Sequence, residues 1–511
     1  MTKREAEYKV QIVPDYKDNP LIEALPQIWS SDDVVDMLSH NVERHDGERQ
    51  YDAHYRVHCL QQLFQYFQPL REHVEIERHL SISIRQGYLH RNPLSSEYAS
   101  SLVKGHETIK AKKSYTNLKA FRPTSSGFTI IGLSGVGKTS AVTNILSLYP
   151  QVIEHTSYHG VPLVLKQVVW LKLDCPHDGS VKGLCMEFFE AIDRAIGTQY
   201  LETNSKRGGT IDIMMVRMAQ AARLHCLGIL VIDEIQHLSL AKSGGSEKML
   251  NFFVTLVNTI GIPVVLIGTS RAKSILQGDF RQARRSSGLG SLLWDKMKND
   301  AAWDIFVLSM WENQWTKSIV PLTADIKDAL YHESQGIVDI AVKLYAMVQI
   351  RAIVLGKESF THSDFHDAAD ECFWSVKPML DALRSGDVKK IEAYGDITPV
   401  KIEDYFMAYL AMLPPKNDPP QKRNEKTLSE KSVLKLLELD VEPMLAKRLV
   451  GKVMAEHMDI KKVADVVRLA YQSFLAIAEP VDEEVTNDGD LRTVDGYEDM
   501  DVANMIEEKV W

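Results

Sequence analysis

The chain has 511 residues, of which 45% are hydrophobic and 25% charged, and it carries a formal net charge of −10. This length predicts roughly two to four domains, and the average composition excludes a wholly disordered or fibrous protein. The cysteines form no C-x-x-C pair and no apolar run approaches the roughly 20 residues of a membrane span, so we expect no disulfide framework, zinc site or membrane segment.

The N-terminal region, residues 1–83, begins with a stretch that is punctuated by Pro14, Pro20 and Pro26. An aromatic and apolar pattern at helical spacing follows in residues 60–67. We predict an appended N-terminal domain or arm, which a connecting region joins to the first core strand.

Residues 84–320 alternate short apolar runs with segments of helical periodicity, as expected for a parallel sheet with crossover helices. We therefore predict an α/β core with a five-stranded parallel sheet and flanking helices. The predicted strands are residues 128–132, 168–174, 228–233, 263–269 and 304–309.

The strongest motif is G-L-S-G-V-G-K-T at residues 132–139, which follows an apolar strand and precedes an amphipathic helix. Glycines let backbone N–H groups surround phosphates, Lys138 can reach the β and γ oxygens of ATP, and the Thr139 hydroxyl can ligate Mg²⁺. This P-loop predicts ATP and Mg²⁺ as cofactors. The predicted nucleotide-binding residues here are Gly132, Ser134, Gly135, Val136, Gly137, Lys138, Thr139 and Ser140.

A second apolar strand, residues 228–233, ends in the adjacent carboxylates Asp233 and Glu234. We predict that Asp233 holds Mg²⁺ through water. Glu234 is predicted to polarise the attacking water, because phosphoryl transfer depends on an oriented nucleophile.

The next strand ends at Thr269 and Ser270, where a polar side chain at the carboxyl edge of a sheet can sense the γ-phosphate. We favour Thr269 as this sensor. The alternative is that the pair forms a helix start, with Ser270 as the N-cap.

An arginine cluster follows at Arg281, Arg284 and Arg285. In a ring or filament of such domains, an arginine at this place reaches the γ-phosphate held by the neighbouring subunit. The cluster therefore predicts a homo-oligomer. A solvated basic face or a DNA contact is the alternative, and one cluster can serve both uses.

The remainder of the chain is predicted to be mostly helical. Residues 321–395 have the apolar spacing of a helical lid, and residues 396–426, with P-P-K-N-D-P-P at 414–420, have the composition of a linker. Residues 427–480 open with a capping-box pattern and predict a C-terminal helical segment. Residues 481–511 form an acidic tail that is expected to be flexible.

Together these elements resemble the AAA+ family, and several stretches are similar to the TnsC/TniB/MuB-like transposition regulators in particular. The likeness extends in matching order from about residue 10 to about residue 390. The stretches that carry it are D-N-P-L-I-E-A-L-P at 18–26, I-R-Q-G-Y-L-H-R-N-P at 84–93, the P-loop, L-V-I-D-E-I-Q-H-L at 230–238, S-G-G-S at 243–246, M-L-N-F-F-V at 249–254 and S-Q-G-I-V-D-I at 334–340.

The resemblance implies a cytoplasmic bacterial ATPase that assembles on double-stranded target DNA without sequence specificity, as a ring or helical filament. A TniQ/TnsD-type target selector recruits such proteins, and they activate the TnsA–TnsB transposase. Hydrolysis of ATP then times or resets the assembly. The acidic tail is, by the same analogy, a candidate transposase contact, and the N-terminal region a candidate selector contact.

In the family, DNA contacts lie in the insert between the second predicted strand and the strand that ends in Asp233. In this insert the present chain has a basic pair flanked by glycines. For any one of these residues, an exposed loop without a ligand is an equal alternative. The matching positions are Lys182, Lys206, Arg207 and Thr210.

The resemblance also places Tyr88 or Arg91 against the adenine side of the nucleotide. One departure concerns the lid, where many relatives carry an arginine in a G-x-x-R sensor and this chain has Gly336-Ile-Val-Asp339. Sensing by a lid arginine of the same subunit is therefore not expected, and hydrolysis is expected to be slow.

Two other functions share the nucleotide-binding core. A replication initiator or helicase loader also assembles on DNA, but the winged-helix reader usual in that class is not evident after the lid. An ATP-gated scaffold would not contact DNA. Salt-sensitive binding to duplex DNA separates the scaffold from the other two, because neutralising phosphates imposes a steep salt dependence.

Overall fold

A computed structural model describes most of the chain in two compact units, Met1–Pro415 and Lys416–Trp511. The described residues are 3–39, 45, 47–98, 100, 103, 127–207, 210–240, 250, 251, 253, 254, 257, 261–272, 290–387, 390, 391, 402–413, 428–439, 441–457, 460 and 462–478.

Eight strands lie in the described part of the first unit. They are β1 (Lys3–Glu5), β2 (Phe128–Gly132), β3 (Val152–Tyr158), β4 (Val161–Val168), β5 (Trp170–Asp174), β6 (Ile229–Asp233), β7 (Val264–Gly268) and β8 (Ser291–Trp294). Five of them form a parallel sheet in the order β5–β6–β7–β2–β8. The predicted five-stranded parallel sheet is confirmed.

The α-helices of the first unit precede, connect and follow these strands. In chain order they are α1 (Pro20–Glu23), α2 (Ser31–Leu38), α3 (Ala53–Leu60), α4 (Arg71–Tyr88), α5 (Lys138–Ser147), α6 (Val181–Ile196), α7 (Tyr200–Arg207), α8 (Ile211–Leu224), α9 (Ala301–Trp311), α10 (Ala324–Ser334), α11 (Val338–Val354), α12 (His362–Cys372), α13 (Lys377–Ser385) and α14 (Glu403–Ala411). No helix in the described part of the chain is long and apolar enough to cross a bilayer.

The sheet is the middle of three layers. Along β6, Leu230 and Ile232 face one apolar cluster, which α6 and α8 complete, while Ile229 and Val231 face a second cluster built with α4 and α5. This alternation follows from the two-residue period of a strand, and burial on both faces explains why β6 is a continuous apolar run. The carboxyl ends of the strands are left at one open edge, where the polar motif residues lie.

The fifth predicted strand, residues 304–309, is wrong. These residues lie in α9, and the fifth strand is the shorter Ser291–Trp294. The helix forms because its apolar residues recur at intervals of three and four, and because the Asp300 side chain accepts a hydrogen bond from Ala302 N. The apolar stripe comprises Trp303, Phe306, Val307, Met310 and Trp311, all of which are buried.

The N-terminal region is not a separate body, in contrast to the predicted appended domain of residues 1–83. β1 pairs in parallel with β3, and α4 contributes one flank of the sheet. Val57, Leu60 and Leu63 pack in the same apolar cluster as the lid helices. Residues that resemble an extension in the sequence therefore bury their apolar surface against the core and the lid.

A second, three-stranded sheet in the order β1–β3–β4 was not predicted. β3 and β4 form a hairpin whose two-residue loop is His159 and Gly160, both in the left-handed region with φ of 46° and 80°. Two consecutive residues with positive φ match the twist of antiparallel strands. The loop lacks the usual Asn-Gly signature, so the sequence offers only a weak hairpin signal.

Helices α10 to α13 lie in the predicted lid, and a tight left-handed turn joins α10 to α11. Gln335 and Gly336 follow α10 with φ of 53° and 75°, and the N–H of Met297 donates to the carbonyl of Gly336 over 2.9 Å. A Cβ at Gly336 would lie 2.1 Å from the Met297 carbonyl oxygen, so only glycine fits. α14 packs on the same apolar cluster, and the predicted linker 396–426 therefore contains a helix.

The described part of the second unit consists of three helices, α15 (Leu428–Leu437), α16 (Pro443–Glu456) and α17 (Val463–Ala478). They enclose an apolar core of their own, with Leu436, Val450 and Val466 at its centre. The predicted acidic tail, 481–511, lies outside the described residues.

All five cysteines are free thiols, and four of them are buried. Burial raises the pKa of Cys185 to about 12, and burial is also the largest cause of the raised pKa values of Cys175, Cys226 and Cys372. Cys59 is partly exposed, and its pKa is also raised, mainly by burial. The four buried thiols are thus core residues.

Candidate nucleotide-binding site

The P-loop joins the end of β2 to the start of α5 and bends back on itself. Gly135 and Gly137 have φ of 78° and 98°, a conformation that L side chains rarely adopt. The Lys138 ammonium donates to the carbonyls of Gly132 and Leu133 over 3.2 and 2.6 Å. The loop therefore encircles the lysine that is predicted to contact the phosphates, at a helix N-terminus that favours anions.

Thr139 and Asp233 meet at the edge of the sheet. The Thr139 hydroxyl donates to Asp233 Oδ2 over 2.8 Å, and Lys172 Nζ lies 3.2 Å from the same oxygen. Burial lowers the pKa of Lys172, but the neighbouring Asp174 and Asp233 carboxylates outweigh burial and raise it, so this lysine stays charged. A hydroxyl and a carboxylate are hard oxygen donors and fit Mg²⁺, as predicted from the two motifs.

Glu234 follows directly and lies in a short network with the end of β7. Its backbone has a φ of 54°, and its side-chain Oε2 accepts a hydrogen bond from the Gln236 amide. Gln236 Oε1 in turn accepts from the backbone N–H of Thr269 over 3.1 Å. The network joins the predicted water-polarising carboxylate to the predicted sensor residue.

The Thr269 hydroxyl is buried, and its oxygen has no hydrogen-bond partner among the described residues. A buried hydroxyl without a partner is costly, so a ligand oxygen beside Thr269 would satisfy a donor that the described residues leave unpaired. A phosphate oxygen fits this requirement. The alternative prediction, a helix capped by Ser270, concerns residues after Ala272 that lie outside the described residues.

These groups line one cavity of about 300 Å³. The P-loop forms its floor, Glu234 and Thr269 lie at the sheet edge, and residues of the lid and of the segment before α4 complete the wall. The lining residues outside the P-loop, Glu234 and Thr269 are Phe64, Tyr66, Phe67, Gln68, Leu70, His73, Gly268, Phe306, Val338, Asp339 and Val342.

The lid contacts the P-loop directly. The backbone N–H of Asp339 donates to the Gly135 carbonyl over 3.1 Å, and Ile337 Cγ2 lies 3.0 Å from the position that a Cβ on Gly135 would take. Lys343 Nζ pairs with Asp339 Oδ2 over 2.8 Å, one helical turn along α11. The lid thus brings a carboxylate, partly neutralised by a lysine, to the phosphate end of the cavity.

Comparison with known proteins agrees with this geometry. Residues 124–276, which contain the P-loop, both acidic residues and Thr269, match the family model of an AAA domain. The chain contains an AAA+ domain. No curated protein sequence matches the chain.

Three of the solved structures similar to the chain share 13 to 15% sequence identity with it. The Aeropyrum pernix ORC1 protein in complex with DNA aligns over 74% of this chain and 83% of its own at 15% identity, with a TM-score of 0.36. Cdc6p from Pyrobaculum aerophilum aligns over 62% and 86% at 14% identity, with a TM-score of 0.35. The Thermotoga maritima RuvB Holliday junction branch migration motor aligns over 61% and 87% at 13% identity, with a TM-score of 0.30.

An aromatic wall that the sequence did not point to lies on the far side of the AAA+ domain's cavity. The wall consists of four residues that line the cavity: Phe64, Tyr66, Phe67 and His73. The ring centroids of Phe67 and His73 are 4.7 Å apart. Burial lowers the pKa of His73 to about 4, so the imidazole is neutral near pH 7. An uncharged aromatic surface suits a nucleobase, and the aromatic clustering in residues 60–67 was the available signal.

Tyr88 and Arg91 do not reach this cavity, contrary to the expected contact with adenine. Both are buried, and Tyr88 Oη donates to the Cys226 carbonyl while Arg91 donates to the Leu227 carbonyl, each over 2.7 Å. These carbonyls precede β6, at the edge of the sheet opposite Asp233. Tyr88 ends α4, 15 residues and roughly 22 Å along the helix from His73.

The structure describes only some of the residues that are predicted to contact DNA. Lys182 and Thr210 are exposed and lie at the N-terminal ends of α6 and α8. Lys206 and Arg207 end α7, and their side chains lie outside the described part of the chain. Arg281, Arg284 and Arg285 also lie outside the described residues, and all of these assignments, including Lys182 and Thr210, stay predictions.

The charge pair on the lid predicts two effects of opposite sign on nucleotide affinity. We expect Asp339→Asn to bind ATP about two- to fivefold more tightly, because it removes a partly exposed negative charge near the phosphates. Lys343→Met should weaken binding by a similar factor, since it leaves Asp339 uncompensated. Titration with a fluorescent ATP analogue measures both, and equal affinities of the two variants would contradict the placement of the lid.

Proposed function

We propose that the chain is an ATP-dependent regulator of DNA transposition of the TnsC type. In this function it assembles on target DNA without sequence specificity, is recruited by a TniQ/TnsD-type selector and activates the TnsA–TnsB transposase. The observation that carries the proposal is the nucleotide cavity, which Lys138, Thr139, Glu234 and Thr269 line and beside which Asp233 accepts a hydrogen bond from Thr139. The transposition role rests on the sequence resemblance.

The proposed reaction is hydrolysis of ATP at this cavity. Lys138 and the P-loop amides bind the β and γ phosphates, and Thr139, with Asp233 acting through water, holds Mg²⁺, which neutralises charge on the phosphates. Glu234 orients the attacking water, and the Thr269 hydroxyl donates to a γ-phosphate oxygen. The aromatic wall that ends at His73 is the proposed stacking surface for the adenine base.

Assembly is proposed to complete the site. In a head-to-tail ring or filament, an arginine from Arg281, Arg284 or Arg285 of one subunit reaches the nucleotide held by the next. The lining of the cavity supports this arrangement, because the described lid residues that line it are Val338, Asp339 and Val342, and none of these is an arginine. ATP binding and oligomerisation are then linked equilibria.

A replication initiator or helicase loader is the nearest competing function. A winged-helix reader contains a short sheet, whereas the described residues of Lys416–Trp511 form α15, α16 and α17 and no strand. This favours the transposition regulator over an initiator that reads DNA through such a domain. A scaffold without DNA contact remains a separate outcome of the experiment below.

The test is assembly on duplex DNA. Particle size and DNA binding are measured with two unrelated duplexes, with and without a slowly hydrolysed ATP analogue, at about 50 and 200 mM salt. We expect assembly that needs the analogue, ignores sequence, weakens steeply with salt and is lost in Lys138→Ala. Nucleotide binding without DNA association would instead support the scaffold.

A second stage separates transposition from initiation. The assembled protein is added to TnsA, TnsB and a TniQ/TnsD-type selector from the same source, and strand transfer into target DNA is scored. Stimulation that requires ATP and is lost in Lys138→Ala supports the proposal. Sequence-independent DNA assembly that leaves strand transfer unchanged argues for a different DNA-dependent function.

A further inference from the structure

We propose that Gln236 is a positioning residue that holds the Glu234 carboxylate to the end of β7, and so transmits γ-phosphate contact at Thr269 to the water-orienting group. The inference deepens the proposed ATPase function and rests on it. Gln236 is 4% exposed and belongs to neither predicted motif.

The two hydrogen bonds of Gln236 define the orientation of its amide. The backbone N–H of Thr269 can only donate, so the group that faces it at 3.1 Å must be the amide oxygen. The amide nitrogen then faces Glu234 Oε2 and donates to it. A flipped amide would lose both bonds, and the orientation therefore does not depend on the usual ambiguity of glutamine side chains.

Gly268 creates the space for this amide. A Cβ at Gly268 would lie 2.9 Å from Gln236 Oε1 and 2.6 Å from Ile235 Cγ2. Side-chain atoms at residue 268 would therefore push Gln236 away from Thr269. The glycine at the end of β7 is therefore what allows the Gln236 amide to reach Thr269.

Glu234 depends on support of this kind. Its φ of 54° lies in the left-handed region, a strained conformation for a residue other than glycine that persists only where the surroundings hold it. The carboxylate lines the nucleotide cavity, and the Gln236 bond on Oε2 limits the directions in which it can point. An error of about 1 Å in the position of such a group can reduce a rate about hundredfold.

The same bridge supplies a route for sensing. The Thr269 hydroxyl has no partner in the part of the chain that the structure describes, and Thr269 lines the cavity, while its N–H is bonded to Gln236. When a γ-phosphate oxygen accepts a hydrogen bond from the hydroxyl, Thr269 is held in place, and Thr269 is the residue to which Gln236 is hydrogen-bonded. Loss of that phosphate after hydrolysis frees Thr269, and with it the restraint on Glu234.

The experiment compares Gln236→Ala and Gln236→Glu with wild type. The glutamate variant keeps the size and the acceptor for Thr269 N–H but turns attraction toward Glu234 into repulsion. Gln167→Ala is the matched control, because Gln167 is also buried and bridges two partners, His155 and the Leu21 carbonyl, far from the cavity. kcat, KM for ATP, the affinity for a fluorescent ATP analogue and the melting temperature are measured in the presence of duplex DNA.

We expect both Gln236 variants to have a kcat that is about tenfold to hundredfold lower, with unchanged nucleotide affinity. The kcat of Gln236→Glu should be reduced at least as much as that of Gln236→Ala. Gly268→Ala should act in the same direction. Wild-type kcat in Gln236→Glu, or a loss of kcat matched by losses of affinity and melting temperature, would overturn the inference. A wild-type protein that binds but does not hydrolyse ATP on DNA would overturn the proposed activity itself, and the inference with it.

Discussion

Glu234→Gln is expected to lower the rate of ATP hydrolysis about 10²–10³-fold while nucleotide binding and assembly on DNA persist. The amide keeps the shape of the side chain but cannot accept a proton from water or orient it as a carboxylate does. Binding should persist because Lys138, Thr139 and Asp233 make the predicted phosphate and Mg²⁺ contacts. Steady-state phosphate release, the affinity for a fluorescent ATP analogue and particle size on duplex DNA measure the three properties.

Glu190→Gln on α6 is the matched control, since Glu190 is 52% exposed and pairs only loosely with Arg194 at 4.0 Å. It should retain wild-type hydrolysis. A Glu234→Gln protein that hydrolyses ATP at the wild-type rate would remove the water-orienting role from Glu234. A variant that loses ATP affinity along with activity would assign Glu234 to binding.

Arg56→Ala is expected to lower the free energy of unfolding by about 3–5 kcal/mol. The Arg56 guanidinium is 1% exposed, and it donates to both carboxylate oxygens of Glu358 over 2.6 and 2.7 Å. It also donates to the carbonyls of Tyr51 and Trp315. The truncation removes these four hydrogen bonds, leaves Glu358 Oε2 with its bond from the Lys317 N–H, and opens a cavity between the N-terminal region and the lid.

Denaturant unfolding followed by tryptophan fluorescence measures the effect, because Trp315 lies next to Arg56. Arg71→Ala is the control, since Arg71 is 87% exposed in a pair with Glu75 and should cost about 1 kcal/mol or less. A loss as small as that of Arg71→Ala would show that the N-terminal region does not depend on this ion pair.

The same ion pair gives the stability a pH dependence of known sign. Burial alone raises the pKa of Glu358, but hydrogen bonds from Arg56 and from the Lys317 N–H outweigh it and lower the pKa below its usual value. The stabilisation is therefore complete above the ordinary glutamate pKa and is lost as the pH falls through the lowered value. The difference between wild type and Arg56→Ala should shrink on acidification through that range.

The nucleotide-binding motifs could be located from the sequence because their chemistry is local. A glycine-rich turn between a strand and a helix, and an apolar strand that ends in two carboxylates, fix both residue type and spacing within a few positions. β2 has the predicted bounds, and β5, β6 and β7 differ by one or two residues at their ends. The pairing of Thr139 with Asp233 follows from the parallel sheet.

The remaining features depend on contacts between distant segments. α9 was mistaken for a strand because a buried helix and a buried strand are both dense in apolar residues, and only the three- and four-residue spacing separates them. Tyr88 and Arg91 were assigned by resemblance to a ligand, whereas the fold uses them to hold the start of β6. The aromatic wall ending at His73 arises because α4 starts at the cavity, which no local pattern indicates.

The five natural thiols of the native protein are expected to react slowly with alkylating reagents. Thiolates react and thiols do not, so raised pKa values and burial protect Cys175, Cys185, Cys226 and Cys372, and the raised pKa of partly exposed Cys59 also slows its reaction. A cysteine introduced at an exposed position of the lid will therefore be the fastest-reacting thiol in the native chain. A dye placed there would test whether the lid moves over the P-loop, without first removing the natural cysteines.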